Sequence, residues 1–179
     1  MRELSLHILD IVQNSIIAEA AHIGIALQQQ GARLTVTVTD DGKGMDAAQL
    51  QRVQDPFFTT RTTRKVGMGI SLYRLAAEQT GGTLDIASAP GQGTTVTAVF
   101  CTDHLDCAPL GDMAGTLSAL LSMNPDVQFD YRHSADAKDF ALSTAELAQI
   151  LDGVPLSEPE VALWLREYLA ENLAELQPN

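Results

Sequence analysis

The sequence predicts an α+β fold: a two-layer α/β sandwich followed by a small C-terminal α/β appendage. Three observations predict it. Four short alternating or β-branched runs fall within the first hundred residues, and helix-period segments flank them. Of the 179 residues, 45% are hydrophobic, with mean hydropathy +0.02, which is enough apolar material for a packed core.

A helix opens the chain. Leu4, Ile8, Leu9, Ile11, Val12 and Ile16 recur at helical spacing, and His7, Asp10 and Asn14 form a polar stripe beside them. His22–Leu27 and Arg33–Thr39 read as a hairpin that runs into the turn Asp40-Asp-Gly-Lys-Gly44. Residues 46–54 read as a short helix capped by Asp46. Residues 55–67 lack periodicity and mix Phe57 and Phe58 with threonines and cations, the composition of a mobile loop. Gly67-Met-Gly69 starts a helix that Gly81-Gly82 stops, and strands over 83–88 and 94–100 complete a first domain, residues 1–100.

A linker is expected at 101–111, where the charge changes, and a small acidic, mainly helical domain with a hairpin at 112–179. A helix over 112–123 is followed by candidate strands at 127–133 and 138–142. Ser143 to Glu146 and Ser157 to Glu160 fit the capping-box pattern before two more helices. Trp164 and Tyr168 on the last helix read as core, with an acidic docking surface as the other reading, and His133 reads as surface.

Charge separates the two halves. The chain carries 11 basic and 23 acidic side chains, a net of −12, which argues against nucleic-acid or anionic-membrane binding. Residues 101–179 hold 3 of the basic and 14 of the acidic groups. Within the first half, Lys43, Arg52, Arg61, Arg64, Lys65 and Arg74 face only Asp46 and Asp55 between residues 43 and 74, a balance suited to an anionic ligand of nucleotide size. No apolar run reaches the ~20 residues of a membrane span, and no signal segment is evident, so a cytoplasmic setting is expected. Cys101 and Cys107 are too few for a disulfide framework. With His104 and Asp106 between them, they read either as a linker or as part of a metal site.

Several groups bear chemistry. Asp10 and Asn14, four residues apart, share one helix face; an amide oxygen suits Mg²⁺, and a carboxylate one turn earlier suits a base. Asp40, at a strand end, can accept from an exocyclic amine, and Gly42 and Gly44 allow close backbone approach. Gly67-Met-Gly69 at a helix start, behind hydroxyls and cations, suits phosphate.

In order and spacing these segments resemble the ATP-binding domain shared by gyrase, heat-shock chaperone, histidine-kinase and mismatch-repair ATPases (the GHKL superfamily, Bergerat fold). Asp10 to Ser15 resembles the N box, Asp40 to Gly44 the D-x-G-x-G box and Asp55 to Arg61 the F box. Gly67-Met-Gly69 resembles the second glycine box and Gly82 to Thr95 the closing glycine segment; the likeness covers about residues 4–100. The resemblance implies ATP and Mg²⁺ as ligands, with the metal at Asn14, the adenine amine at Asp40, and Asp10 as the catalytic carboxylate. It further implies nucleotide contacts at Gly42, Gly44, Met45, Phe58, Thr60, Arg61, Lys65, Gly67, Met68, Gly69 and Thr94.

Three departures bear on activity. Asp10 stands where many members carry Glu, Lys65 stands where the kinases' glycine-rich lid motif begins, and no helical hairpin with an acceptor histidine precedes the N box. The implied activities are a protein kinase acting in trans, resembling stand-alone anti-sigma-factor kinases, or a slow ATPase that recruits a protein partner. A nucleotide sensor without turnover is the alternative.

Overall fold

A computed structural model describes residues 2–55 and 68–177, with the side chain of Met68 left out. In chain order the elements are α1 (Leu4–Ile17), β1 (His22–Gln30), β2 (Arg33–Asp40), α2 (Ala47–Gln54), α3 (Met68–Gln79), β3 (Thr83–Ala89), β4 (Gly93–Cys101), α4 (Met113–Met123), β5 (Gln128–Ala135), β6 (Lys138–Ser143), α5 (Thr144–Leu151) and α6 (Pro159–Leu176). The strands form one mixed sheet in the order β3-β4-β2-β1-β5-β6. The β1–β5 pair is parallel, and the other four neighbours are antiparallel.

Alternation along the strands makes the two layers. Ile23, Ile25 and Leu27 of β1 and Leu34, Val36 and Val38 of β2 are at most 3% exposed. Thr35, Thr37 and Thr39 between them are half-buried or exposed on the other face. Burying each large aliphatic side chain contributes about 1.5–3 kcal/mol, so this face drives the helices onto the sheet. Ile8 and Val12 of α1, Tyr73 of α3, Leu117 and Leu120 of α4, and Leu165 and Leu169 of α6 join it in one core.

The sheet runs straight across the expected domain boundary. Residues 112–179 do contain a hairpin among helices, but β5 lies beside β1 from His22↔Gln128 to Gln29↔Ala135 and so extends the first half's sheet. The intervening segment is fastened to the start of α1. Its Pro109 and Leu110 carbonyls accept from the Leu4 and Ser5 amides, both at 2.9 Å, where the cap residue Glu3 gives the helix no side-chain hydrogen bond.

Several local expectations change. His133 is not surface: at 7% exposure it shares the covered face of β5 with Phe129 and Tyr131, because strand alternation points every second residue inward. His7 is likewise buried, stacked on Tyr73 at 5.3 Å rather than displayed with Asp10. Trp164 is 41% exposed and stacks on Tyr168, outside the core formed by Leu165 and Leu169. Ser143 caps α5 by accepting from the Glu146 amide, whereas α6 starts at Glu158 with Pro159 in its first turn and no side-chain cap. Ser157 therefore has no capping role. Among the described residues no group of three or more His, Cys, Asp or Glu side chains could hold a metal ion, and no helix is long and apolar enough to cross a membrane.

Candidate functional site

The end of β2 opens on a cleft of about 260 Å³ bounded by α1, α2, the first turn of α3 and β4. Its walls are mostly apolar, with Ile11, Val38, Ile70 and Val96 among them, and its polar lining includes Asn14, Asp40, Lys43 and Thr94. An apolar slot with a few convergent polar groups is the usual form of a small-ligand site.

Asp40 is held as an acceptor. Its Oδ2 accepts from the Ser15 hydroxyl at 2.6 Å and its Oδ1 from the Gly42 amide at 2.9 Å. A carboxylate has about four lone-pair positions, so both oxygens keep capacity toward the cleft. Thr94 sits directly across the ladder from Asp40, and Ser88 directly across from Thr94. The Ser88 hydroxyl lies 2.8 Å from that of Thr94 and accepts from the Met45 amide at 2.9 Å. One row of three strands thereby fixes the base of the cleft and the turn above it.

The glycines of the turn answer first to the chain itself. A Cβ on Gly44, whose φ is +68°, would lie 2.0 Å from the Ala89 carbonyl oxygen. One on Gly42 would lie 2.7 Å from that of Ala18. Gly44 and Met45 line the cleft, while Gly42 is buried behind Asp40. The neighbouring Asp41 accepts from the Ala21 and His22 amides at 2.8 and 2.9 Å. The His22 amide leads in holding its carboxyl below the ordinary range.

Asp10 and Asn14 share the α1 face as the spacing requires, but only Asn14 lines the cleft among the described residues. Asp10 lies one turn away, paired with Arg2 at 3.0 Å, with Gly69 of α3 against it: a Cβ there would meet that of Asp10 at 3.3 Å. Below it, burial and then the Arg2 guanidinium push the His7 imidazole beneath its ordinary value, and the Asp10 carboxylate opposes them. Phe58, Thr60, Arg61, Lys65 and Gly67 lie outside the described residues, as does the side chain of Met68.

Two hydroxyls were missed by reading the sequence. Ser15 carried a signal, a polar residue on the buried α1 face beside Ile11 and Val12. Ser88 carried none until the β3–β4 register placed it next to Thr94.

The donor set fits a purine nucleotide with a divalent cation. The slot is apolar enough for a flat ring, a fixed carboxylate with spare lone pairs stands at its end, and the Asn14 amide offers a hard oxygen on its wall.

Residues 2–104 match the family described as histidine kinase-, DNA gyrase B- and HSP90-like ATPases. Sensor histidine kinase ZraS of Escherichia coli is 37% identical over 92 residues, covering 50% of this chain and 20% of that protein. Sensor protein kinase FleS of Pseudomonas aeruginosa is 36% identical over 96 residues, 52% of this chain and 23% of that protein. A probable C4-dicarboxylate sensor kinase of Bacillus subtilis is 30% identical over 83 residues, 46% and 16% of the two. The chain thus spans about a fifth of the length of these relatives. The crystal structure of the N-terminal domain of a DNA repair protein superposes with TM-score 0.60 at 16% identity, over 80% of this chain and 53% of that one, a likeness of fold.

Proposed function

The chain belongs to the family of histidine kinase-, DNA gyrase B- and HSP90-like ATPases, and from that premise we propose that it binds ATP with Mg²⁺ in the cleft at the end of β2 and transfers the terminal phosphoryl group to a protein acceptor in trans. The observation that carries this reading is the Asp40 carboxylate, locked by Ser15 and Gly42 at the end of an apolar slot. Asp40 accepts the adenine amine, Gly44, Met45 and Thr94 enclose the ring, and Gly42 stiffens the turn behind it.

Asn14 is the residue to hold Mg²⁺. When bound, the cation supplies neutralising charge to the phosphate oxygens. Asp10, one turn along the same helix, orients the acceptor and takes its proton. Gly69 keeps the start of α3 close to Asp10 and clear of side chain. Phe58, Thr60, Arg61, Lys65, Gly67 and Met68 complete the nucleotide contacts in this proposal. Residues 101–179, with their 14 acidic side chains, serve the protein partner.

One observation favours a second reading. The Arg2–Asp10 pair at 3.0 Å occupies the carboxylate that transfer needs, as in a nucleotide sensor without turnover.

Incubation of the full chain with γ-labelled ATP and candidate acceptor proteins tests both. Label on an acceptor, lost in Asp10→Ala and Asn14→Ala, is the expected result; free phosphate instead marks an ATPase, and intact bound ATP a sensor. Asp40→Asn should weaken ATP binding roughly ten- to hundredfold by titration calorimetry, the scale of a hydrogen bond to a charged group. Unchanged affinity in that variant sinks the adenine assignment.

A further inference from the structure

One edge of the sheet is open beside an aromatic surface that the nucleotide reading does not use. β6 is the outermost strand on that side of the six-stranded sheet. Its neighbour shows which backbone groups are free. The Gln128 amide donates to the Ala21 carbonyl just ahead of β1, and the Phe129 amide to the Thr144 hydroxyl just past β6. Odd-numbered residues of β5 therefore turn toward β6, and the register gives their bonds to Lys138, Phe140 and Leu142. Asp139 and Ala141, between these, direct their N–H and C=O groups outward. Both are exposed, and neither has a hydrogen-bond partner for these groups among the described residues. Such a row is a template for another strand.

Along this edge the helix layer ends in aromatic rings. Phe140 of β6 lies 6.0 Å from Tyr168 of α6, and Tyr168 stacks at 5.4 Å on Trp164, which is 41% exposed. Arg166, on the other side of α6, pairs with Asp112 at the start of α4, so the Trp164 side faces away from α4 and toward β6. At roughly 100° per residue, Glu160, Glu167 and Glu171 fall within about 60° of Trp164. All three are exposed. The three cations of residues 101–179 lie elsewhere. Arg166 is engaged by Asp112, and the Lys138 ammonium donates to the Glu175 carbonyl at 2.9 Å. Arg132 alternates with the buried Tyr131 and His133 and so takes the sheet face away from α6.

We propose that the β6 edge docks an extended, basic segment of a protein partner, which adds as a further strand of the sheet. This names the partner chemistry for the reading that residues 101–179 serve a protein, and it rests on that reading. Asp139 and Ala141 supply the main-chain bonds. On the helix-covered face of the added strand an apolar side chain meets Phe140 and Tyr168. Arginines on the same face reach Trp164 and the glutamates around it, where a planar guanidinium both stacks and pairs. A second copy is a poor occupant, because pairing β6 with β6 brings two sets of these glutamates together.

The probe is a capped synthetic peptide repeating Arg-Thr-Val-Thr, titrated into the full chain without nucleotide and followed by the emission of Trp164, the only tryptophan. Saturable binding is expected, at least about tenfold tighter than that of the same peptide with Glu for Arg. Ala141→Pro removes an outward N–H and no ladder bond, and should weaken binding at least about tenfold while near-ultraviolet circular dichroism stays native. Glu160→Gln, Glu167→Gln and Glu171→Gln together should weaken it by about tenfold. Asp85→Asn, Asp103→Asn and Asp106→Asn together make the same charge change at exposed sites on β3 and just past β4, and should leave affinity within about twofold. No saturable change up to millimolar peptide would overturn the proposal. So would equal losses in the two triple variants, which mark attraction to net charge alone. A dimer in sedimentation that Ala141→Pro dissolves would overturn it by giving the edge to a second copy. Undiminished binding in every variant would also overturn it, leaving the partner role of residues 101–179 to another face. Because nucleotide is absent, none of these failures is a failure of the ATP reading.

Discussion

At Gly44 a single absent carbon decides whether the turn can close. Its φ of +68° disfavours any L side chain, and a Cβ would also lie 2.0 Å from the Ala89 carbonyl oxygen, which is backbone and cannot swing away. Gly91, with φ +73° and nothing within 4 Å of a Cβ, isolates the conformational cost alone. Gly91→Ala should therefore cost about 1 kcal/mol in urea unfolding and Gly44→Ala at least about 2–3 kcal/mol. Equal losses would mean that the Ala89 contact is relieved without cost. The sequence reading gave Gly44 to the ligand. Its first obligation is to the β3–β4 hairpin, a neighbour 45 residues away in the chain that no local pattern names.

Among the elements, α1 carries the most. It bears Asp10, Asn14 and Ser15, and its first amides are capped by Pro109 and Leu110. Its core face is shared with α4, where Leu117 and Leu120 are at most 2% exposed. Removing residues 105–179 uncaps the helix, takes α4 off its core face and leaves β1, still paired with β2, as an open sheet edge. A chain of residues 1–104 is expected to lack a cooperative thermal transition by circular dichroism, although it contains the whole region that matches the ATPase family. A sharp, reversible melt of that fragment would show instead that the first half folds alone. Periodicity revealed α1, α3, α4 and α6 because an amphipathic helix writes its buried stripe into the sequence at every turn. It could not reveal that β5 pairs with β1, since the partner of a parallel strand is chosen by packing across a long connection.

For the molecule as a whole, two buried imidazoles set a pH dependence. His7 and His133 both titrate below the ordinary 6.5, in each case chiefly through burial. Between those lowered values and 6.5 the unfolded chain binds protons that the native chain refuses. Stability therefore rises with pH across that window and is lost as pH falls from about 6.5. Thermal unfolding at pH 7.5 and pH 5.5 should show a larger drop in Tm for the wild type than for His7→Phe combined with His133→Phe. Asp41 acts elsewhere: its carboxyl is held below 3.8, so its contribution disappears only in more acidic solution. An identical drop in both proteins would remove the histidines from the account.

The sequence by itself determined the alternating strands, the helix over Leu4–Ile17, the asymmetry of charge between the halves, and the candidates Asp10, Asn14, Asp40 and Thr94. Those features depend on residue type and short spacing, which a one-dimensional pattern preserves. Only the tertiary structure decided that Ser15 and Ser88 brace the cleft, that His133 faces inward, and that the C-terminal half completes the sheet of the first. Each of these depends on which distant segments share a surface, and that choice is made by the burial of one continuous apolar face.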